Sequence, residues 1–256
     1  MQRAIVPPDI EWHIRMDNGA SESDAAYIDA LIRMTSQKLR LKLTRVLDAP
    51  CGNGRLHRYL IKYGYSVYGV DINKALIKQA KEAHPANAGN YFVGDIRNFN
   101  LKREFDVYIS WFTSLGYFED FGNLAVLRNA ARHLKRHGII IIDLGNREAT
   151  VAALLTNPNA IFYNERDGYA MIERPKIEVS HGVSYQVRNE SFYRKRGKNL
   201  IFVKRHTLER LRLYSEEDLR RQLCEAGFKP IYTFSGKSFT NFRRDAKRIV
   251  MIAMKR

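Results

Sequence analysis

Cysteine occurs only twice in the 256 residues, at Cys51 and Cys224, too few for a disulfide framework and without the Cys/His spacing of a zinc site. No bound metal is expected. Proline (7) and glycine (16) are also sparse, so the chain is neither collagen-like nor low-complexity. Long apolar runs are missing: the longest of strand character, Ile139 to Ile142, is far shorter than the ~20 residues that cross a bilayer. Met1 to Ile14 shows no hydrophobic region of a signal peptide. A soluble, cytoplasmic protein without a membrane partner is the expectation. Acid is scarce as well. Against 43 Lys and Arg stand 27 Asp and Glu, a net charge of +16, of which +5 falls in residues 1–150 and +11 in the remainder. That balance favours an anionic ligand or partner, although a basic solvated surface accounts for it equally well.

What is present is enough for one well-packed domain: 45% hydrophobic and 11% aromatic residues. Residues 1–44 read as an N-terminal helical segment, with Ala26, Tyr27, Ala30, Leu31, Met34 and Leu39 at helical spacing between Ala20 and Leu43. From 45 to 145 short apolar strands alternate with helical patterns. The strands are RVLDAP from Arg45, SVYGVDI from Ser66, NYFVGDI from Asn90, FDVYISWF from Phe105 and GIIIIDL from Gly138. A helix is expected from about Asn123 to His137. Such alternation implies a parallel sheet with helices on both faces, an α/β architecture. Residues 146–213 change toward a period of two, with turn signals at Asp167-Gly168, His181-Gly182 and Gly197-Lys198, predicting an antiparallel β insertion of three or four strands. In residues 214–256, Ser215 caps a helix running to Ala226 with Gly227 just past its end, and two closing strands follow.

The chemistry concentrates where the first strand ends. Asp48 closes it, Cys51-Gly52-Asn53-Gly54 turns the chain into a helix, and Asp71 closes the second strand 19 residues beyond Gly52. Glycine permits close approach of backbone to ligand, and an acid at the second strand's end can accept two ribose hydroxyls. A pair of glycines alone is weak. The dinucleotide fingerprint requires a third small residue, and His57 stands there instead, so dinucleotide binding is disfavoured.

The segments VLDAPCGNGR, GVDIN, GDIRNF and FDVYISWFTSLGYF, in this order, resemble class I S-adenosylmethionine-dependent methyltransferases of the small-molecule type, and RLRLYSEEDLRRQLCEAGF resembles that family's C-terminal end. The resemblance implies a Rossmann-like, seven-stranded, mostly parallel sheet whose last strand is antiparallel. It further implies S-adenosylmethionine as cofactor and S-adenosylhomocysteine as product. On the matching positions, Asp48, Ala49, Pro50, Cys51, Gly52 and Gly54 hold the methionine part and Asp71 the ribose. Asp95 would contact the adenine amino group, with Ile72 and Ile96 on either side of the ring. Trp111 would stand beside the methionine or donor methyl. Pro50 departs from the glycine usual at the turn's start, and proline suits extended backbone.

Acceptor-side candidates are the loop after the fourth strand and the N-terminal segment. Tyr117 and His13 are candidates for catalysis, and Trp12, Met16, Thr113, Ser114, Phe118 and His206 for the lining. The plainer readings are a pocket-lining Tyr117 and a solvated His13. A general base is dispensable, because positioning alone accounts for up to ~7–11 kcal/mol of barrier. The loop TSLGYF lacks the Asn/Asp-Pro-Pro-aromatic tetrad of base-amino methylating enzymes, and the insertion resembles the cover of small-molecule N- or O-methyltransferases. One alternative is an RNA-directed methyltransferase, because nine bases between Arg188 and Arg212 interleave with Tyr185, Phe192, Tyr193 and Phe202. A non-catalytic nucleic-acid-binding module of the same fold is another. Strand alternation offers a duller account, with aromatics inside and bases in solvent.

Overall fold

A computed structural model describes residues 20–166 and 168–256. The first strands and helices come in the alternation read from the sequence. They are α1 (Ala20–Leu39), β1 (Arg45–Asp48), α2 (His57–Lys62), β2 (Ser66–Asp71), α3 (Lys74–Ala83), β3 (Tyr91–Val93), β4 (Phe105–Ser110), α4 (Asp120–His133) and β5 (Leu134–Gly145). α1 stops short of Leu43, because Arg40 takes a left-handed φ of 54°. α4 begins three residues earlier than expected and ends at His133, where the chain turns extended. Asn73 caps α3 by accepting the Ala75 and Leu76 N–H groups.

The insertion needs a correction at its start. It opens with a helix, α5 (Arg147–Thr156), capped by Asn146, before the ribbon β6 (Phe162–Arg166), β7 (Tyr169–Ser180), β8 (Val183–Arg196) and β9 (Asn199–Arg212). The polar Asn-Arg-Glu start and the Asn157-Pro158 stop were the available signals. α6 (Glu216–Glu225), β10 (Phe228–Ser235) and β11 (Arg248–Lys255) close the chain, and Ser215 forms a full capping box with Asp218.

Two sheets result. The larger has strand order β10-β11-β5-β4-β1-β2-β3, and the smaller joins β6 to β9 as an antiparallel meander. In the larger sheet β11 runs antiparallel to both β5 and β10, while the other pairings are parallel. Both faces are covered, which explains why the strands read as unbroken apolar runs. Ile139 and Ile141 pack with α1 and α2, whereas Ile140 and Ile142 pack with α4 and α6. Among the described residues no helix is long and apolar enough to cross a membrane.

Asp106 fastens the base of this sheet. It accepts the Thr44 and Arg45 N–H groups and pairs with Lys135 at 2.7 Å. Burial would push this acid up, but these partners outweigh it and hold it below the ordinary range. Tyr108, fully buried in β4, has a hydroxyl with no hydrogen-bond partner. An unmet buried hydroxyl costs stability, so Tyr108→Phe is expected to raise the urea midpoint or leave it unchanged. A drop of 1 kcal/mol or more, on the scale of a lost hydrogen bond, would contradict this.

Candidate functional site

The strand order reverses at β1, which lies between β4 and β2. In an open α/β sheet, ligands bind beyond the carboxyl ends of the strands at such a point. Asp48, the Cys51–Gly54 turn and Asp71 all lie there. The two sequence motifs are tied together directly. The Gly52 N–H donates to Asp71 Oδ2 at 2.8 Å, the Asn73 N–H donates to Oδ1 at 2.8 Å, and the Cys51 N–H donates to the Val70 carbonyl at 2.9 Å. The Ala49-Pro50 peptide is cis.

Gly52 and Gly54 serve different ends. Both have positive φ, but a Cβ on Gly52 would meet nothing within 4 Å, so its face is open to a ligand. A Cβ on Gly54 would stand 2.8 Å from the Tyr91 hydroxyl, so that glycine is required by packing. Behind the turn, His57 Nε2–H donates to Asp48 Oδ2 at 3.2 Å, and its ring stacks on Tyr91 at 4.8 Å. The residue that breaks the dinucleotide fingerprint thus supports the first-strand acid from beneath.

Asp71 is buried, and its acid is raised first by that burial, with Asp48 adding to the rise and the Asn73 and Gly52 N–H groups opposing it. Only the carboxylate accepts two ribose hydroxyls. Affinity for an adenosine ligand is therefore expected to fall with decreasing pH, beginning above the range of an exposed aspartate. Calorimetry with S-adenosylhomocysteine across the acid range checks this, and a fall that persists unchanged in Asp71→Asn would refute it.

The other candidates are distributed unevenly. Ile72 is exposed beside Asp71, while Ile96 is buried with the core. Asp95 is engaged by Arg97 through two-pronged contacts of 2.5–3.1 Å, and the Arg97 guanidinium in turn lies 4.4 Å from the Phe118 ring. The Arg97 bonds hold Asp95 below the ordinary acid range. Asp95 was expected to contact an adenine amino group; the structure gives it a cation neighbour that Asp-x-Arg spacing could have signalled. Trp111 is likewise buried, facing Tyr27 of α1, and Phe112 is the exposed ring at that strand end, 61% accessible.

Phe112 and Thr113 both adopt positive φ, 58° and 60°, conformations unfavourable for side chains of their kind. The pair is held by Asp143 at the end of β5. Asp143 Oδ2 accepts the Phe112 N–H, the Asp143 carbonyl accepts the Thr113 N–H, and Arg248 donates to both carboxylate oxygens and to Thr113 Oγ1. Arg55 and Arg248 approach the Phe112 ring to 5.6 and 5.5 Å. Arg55 also donates to buried Asp24, joining α1 to the glycine turn. These clamps were missed in the sequence because their partners are far apart along the chain.

Ser114 hydrogen-bonds the Trp111 carbonyl, while Tyr117 and Phe118 are half-buried. Desolvation raises the Tyr117 phenol, which feels Arg188 and Glu190 of β8 and Asp71 of β2. The ribbon is fastened to the same loop: the Arg212 N–H donates to the Gly116 carbonyl at 2.8 Å, and Tyr185 donates to Glu119 at 3.0 Å. A buried Arg212 guanidinium also pairs with Asp120. His206 lies on β9, 3.7 Å from Glu190. Trp12, His13 and Met16 lie outside the described residues. Of the aromatics weighed for base stacking, Tyr185 and Phe192 are buried and Phe202 is exposed. Lys195 and Arg210 have acidic partners, Glu165 and Glu178.

Residues 46–138 match the family model described as a methyltransferase domain. A curated relative from Streptomyces fradiae, dTDP-3-amino-3,6-dideoxy-alpha-D-glucopyranose N,N-dimethyltransferase, is 25% identical over 226 residues, covering 84% of this chain and 80% of its own. Among solved structures, an S-adenosylmethionine-dependent methyltransferase from Clostridium acetobutylicum superposes with TM-score 0.76 at 19% identity, covering 95% of this chain and 97% of that one. An amino pentose methyltransferase from Micromonospora echinaspora, solved with S-adenosylmethionine bound, gives TM-score 0.70 at 15% identity over 100% of both chains.

Proposed function

We propose, from the match of residues 46–138 to a methyltransferase domain and the likeness to S-adenosylmethionine-dependent methyltransferases, that this chain methylates the amino group of a small sugar-like acceptor. The observation that carries the acceptor class is the attachment of the ribbon to the loop after β4. Its bonds to Gly116 and Glu119 support a reading of residues 146–213 as a cover over that loop, which suits a small molecule. The amino sugar follows the activity named for the Streptomyces fradiae relative. Pairing of Lys195 and Arg210 with acids, and the burial of Tyr185 and Phe192, favour the small-molecule reading over the RNA alternative.

The residues present fit the cofactor. Gly52 offers open space at a positive φ, and the Asp71 carboxylate faces the same turn. Asp48, Ala49 and Gly52 would hold its methionine part and Asp71 its ribose, with Ile72 against the adenine. When bound, S-adenosylmethionine supplies an electrophilic methyl group on a positively charged sulfur. The chain's own contribution is to orient and to dehydrate. Arg248 and Asp143 hold the Phe112–Thr113 backbone in one arrangement, so that Phe112 presents a fixed apolar surface. Half-buried Tyr117, next to the Gly116 carbonyl that binds the ribbon, would line the acceptor side. The amine needs only a free lone pair, so no base of dedicated type is required.

Incubation with S-adenosylmethionine and dTDP-3-amino-3,6-dideoxy-alpha-D-glucopyranose is expected to add one or two methyl groups at nitrogen, read by mass spectrometry. Cofactor binding without any transfer to this or related amino sugars would overturn the acceptor assignment.

A further inference from the structure

The ribbon carries a row of ionisable side chains that neither the fold nor the cofactor site uses. Cross-strand register places Glu173 of β7 opposite Glu190 of β8, and Glu190 opposite His206 of β9, so the three share one face. Arg188, two residues before Glu190, shares that face and approaches Glu173 at 3.9 Å. Two carboxylates directly opposite each other repel, an arrangement that weakens a sheet unless a cation stands against them. The pairing inside the row is incomplete. Buried Arg188 Nε and His206 Nδ1 have no hydrogen-bond partner, and the 3.7 Å between His206 and Glu190 is too long for one. Buried polar atoms left unpaired are costly, so these two call for an explanation in the chemistry of the row. Met171 and Phe192, a cross-strand pair two residues along, flank the row on the same face. On that face Leu211, opposite Gln186, stands 3.3 Å from where a Cβ on Gly116 would lie, so the row's side of the ribbon addresses the loop after β4.

We infer that Glu173, Glu190 and His206, with Arg188, form the wall that selects and orients the acceptor's amino group. The inference rests on the amine reading above and adds the residues that distinguish an amine from a hydroxyl. The two carboxylates receive the ammonium or amine N–H groups. His206 Nδ1 and Arg188 Nε meet neighbouring oxygen atoms of the acceptor. These are positioning residues.

The test compares two probes by calorimetry on the full chain saturated with S-adenosylhomocysteine: dTDP-3-amino-3,6-dideoxy-alpha-D-glucopyranose and its counterpart with a hydroxyl in place of the amine. Wild type is expected to favour the amine about tenfold or more, the scale of one charge-assisted contact. Glu190→Gln and Glu173→Gln, which keep shape and lose charge, should each reduce that preference, and together abolish it. Binding of S-adenosylhomocysteine should stay unchanged and the hydroxyl probe should lose less than the amine, a pattern that a folding defect does not produce. An undiminished amine preference in the double variant overturns the inference while leaving the amino-sugar reading intact. Failure of wild type to bind either probe overturns both.

Discussion

Asp71→Ala is expected to lower affinity for S-adenosylmethionine by on the order of a hundredfold or more. The carboxylate of Asp71 has two tasks at once. It is the acceptor placed for the ribose hydroxyls, and it already receives the Gly52 and Asn73 N–H groups. Hydrogen bonds to charged groups contribute about 1.5–3 kcal/mol each, so two lost ribose bonds alone reach that factor. Loss of the Gly52 contact adds to it, because the turn is then no longer bonded to the end of β2. Asp71→Asn separates the two tasks. It keeps an oxygen for one N–H group but loses the charge, and an intermediate loss is expected. Titration calorimetry with S-adenosylmethionine and S-adenosylhomocysteine checks both variants, with the urea midpoint as a folding control. Unchanged affinity in Asp71→Ala would remove the adenosine site from the end of β2.

Arg248→Ala is expected to destabilise the fold by about 3 kcal/mol, the low end for breaking a buried pair. Asp143 is buried, and Arg248 is its only cationic partner among the described residues. Removing the guanidinium leaves a carboxylate in the interior that the Phe112 N–H alone satisfies. The pair is partly open on the arginine side, which is why the low end applies. Arg248→Ala combined with Asp143→Asn should cost less than the sum of the single changes, because the double variant no longer buries a lone charge. Strict additivity in urea unfolding would show that the clamp contributes little. A second consequence concerns turnover. Phe112 and Thr113 hold positive φ only because the clamp over-determines them, so Arg248→Ala should also lower kcat at saturating cofactor.

The segments RVLD, SVYGVD and FDVYIS were legible as strands because short, largely apolar runs with Val, Ile, Tyr and Phe, bounded by turn signals, suit burial on both faces of a sheet. The ends of those strands were equally legible. Asp48 and Asp71 are acids that interrupt apolar runs, and Gly52 and Gly54 require the φ they adopt. Ser215 announced α6 through its capping box. α5 was missed because its ten residues fall in a stretch whose later strands dominated the pattern.

Local chemistry therefore determined the order of elements, the position of the sheet's glycine turn and the acids beside it, since each depends on residues close in the chain. The sequence also carried the family likeness that the methyltransferase-domain match upheld. Only the tertiary structure decided which charges face one another. Asp143 meets Arg248, Arg212 meets Asp120, Asp24 meets Arg55, and Glu173, Glu190 and His206 fall into one row. Each of these depends on strand register or on helix packing across tens of residues. A shift of one residue in register would turn the whole row to the opposite face, and no local pattern of charges specifies which face that is.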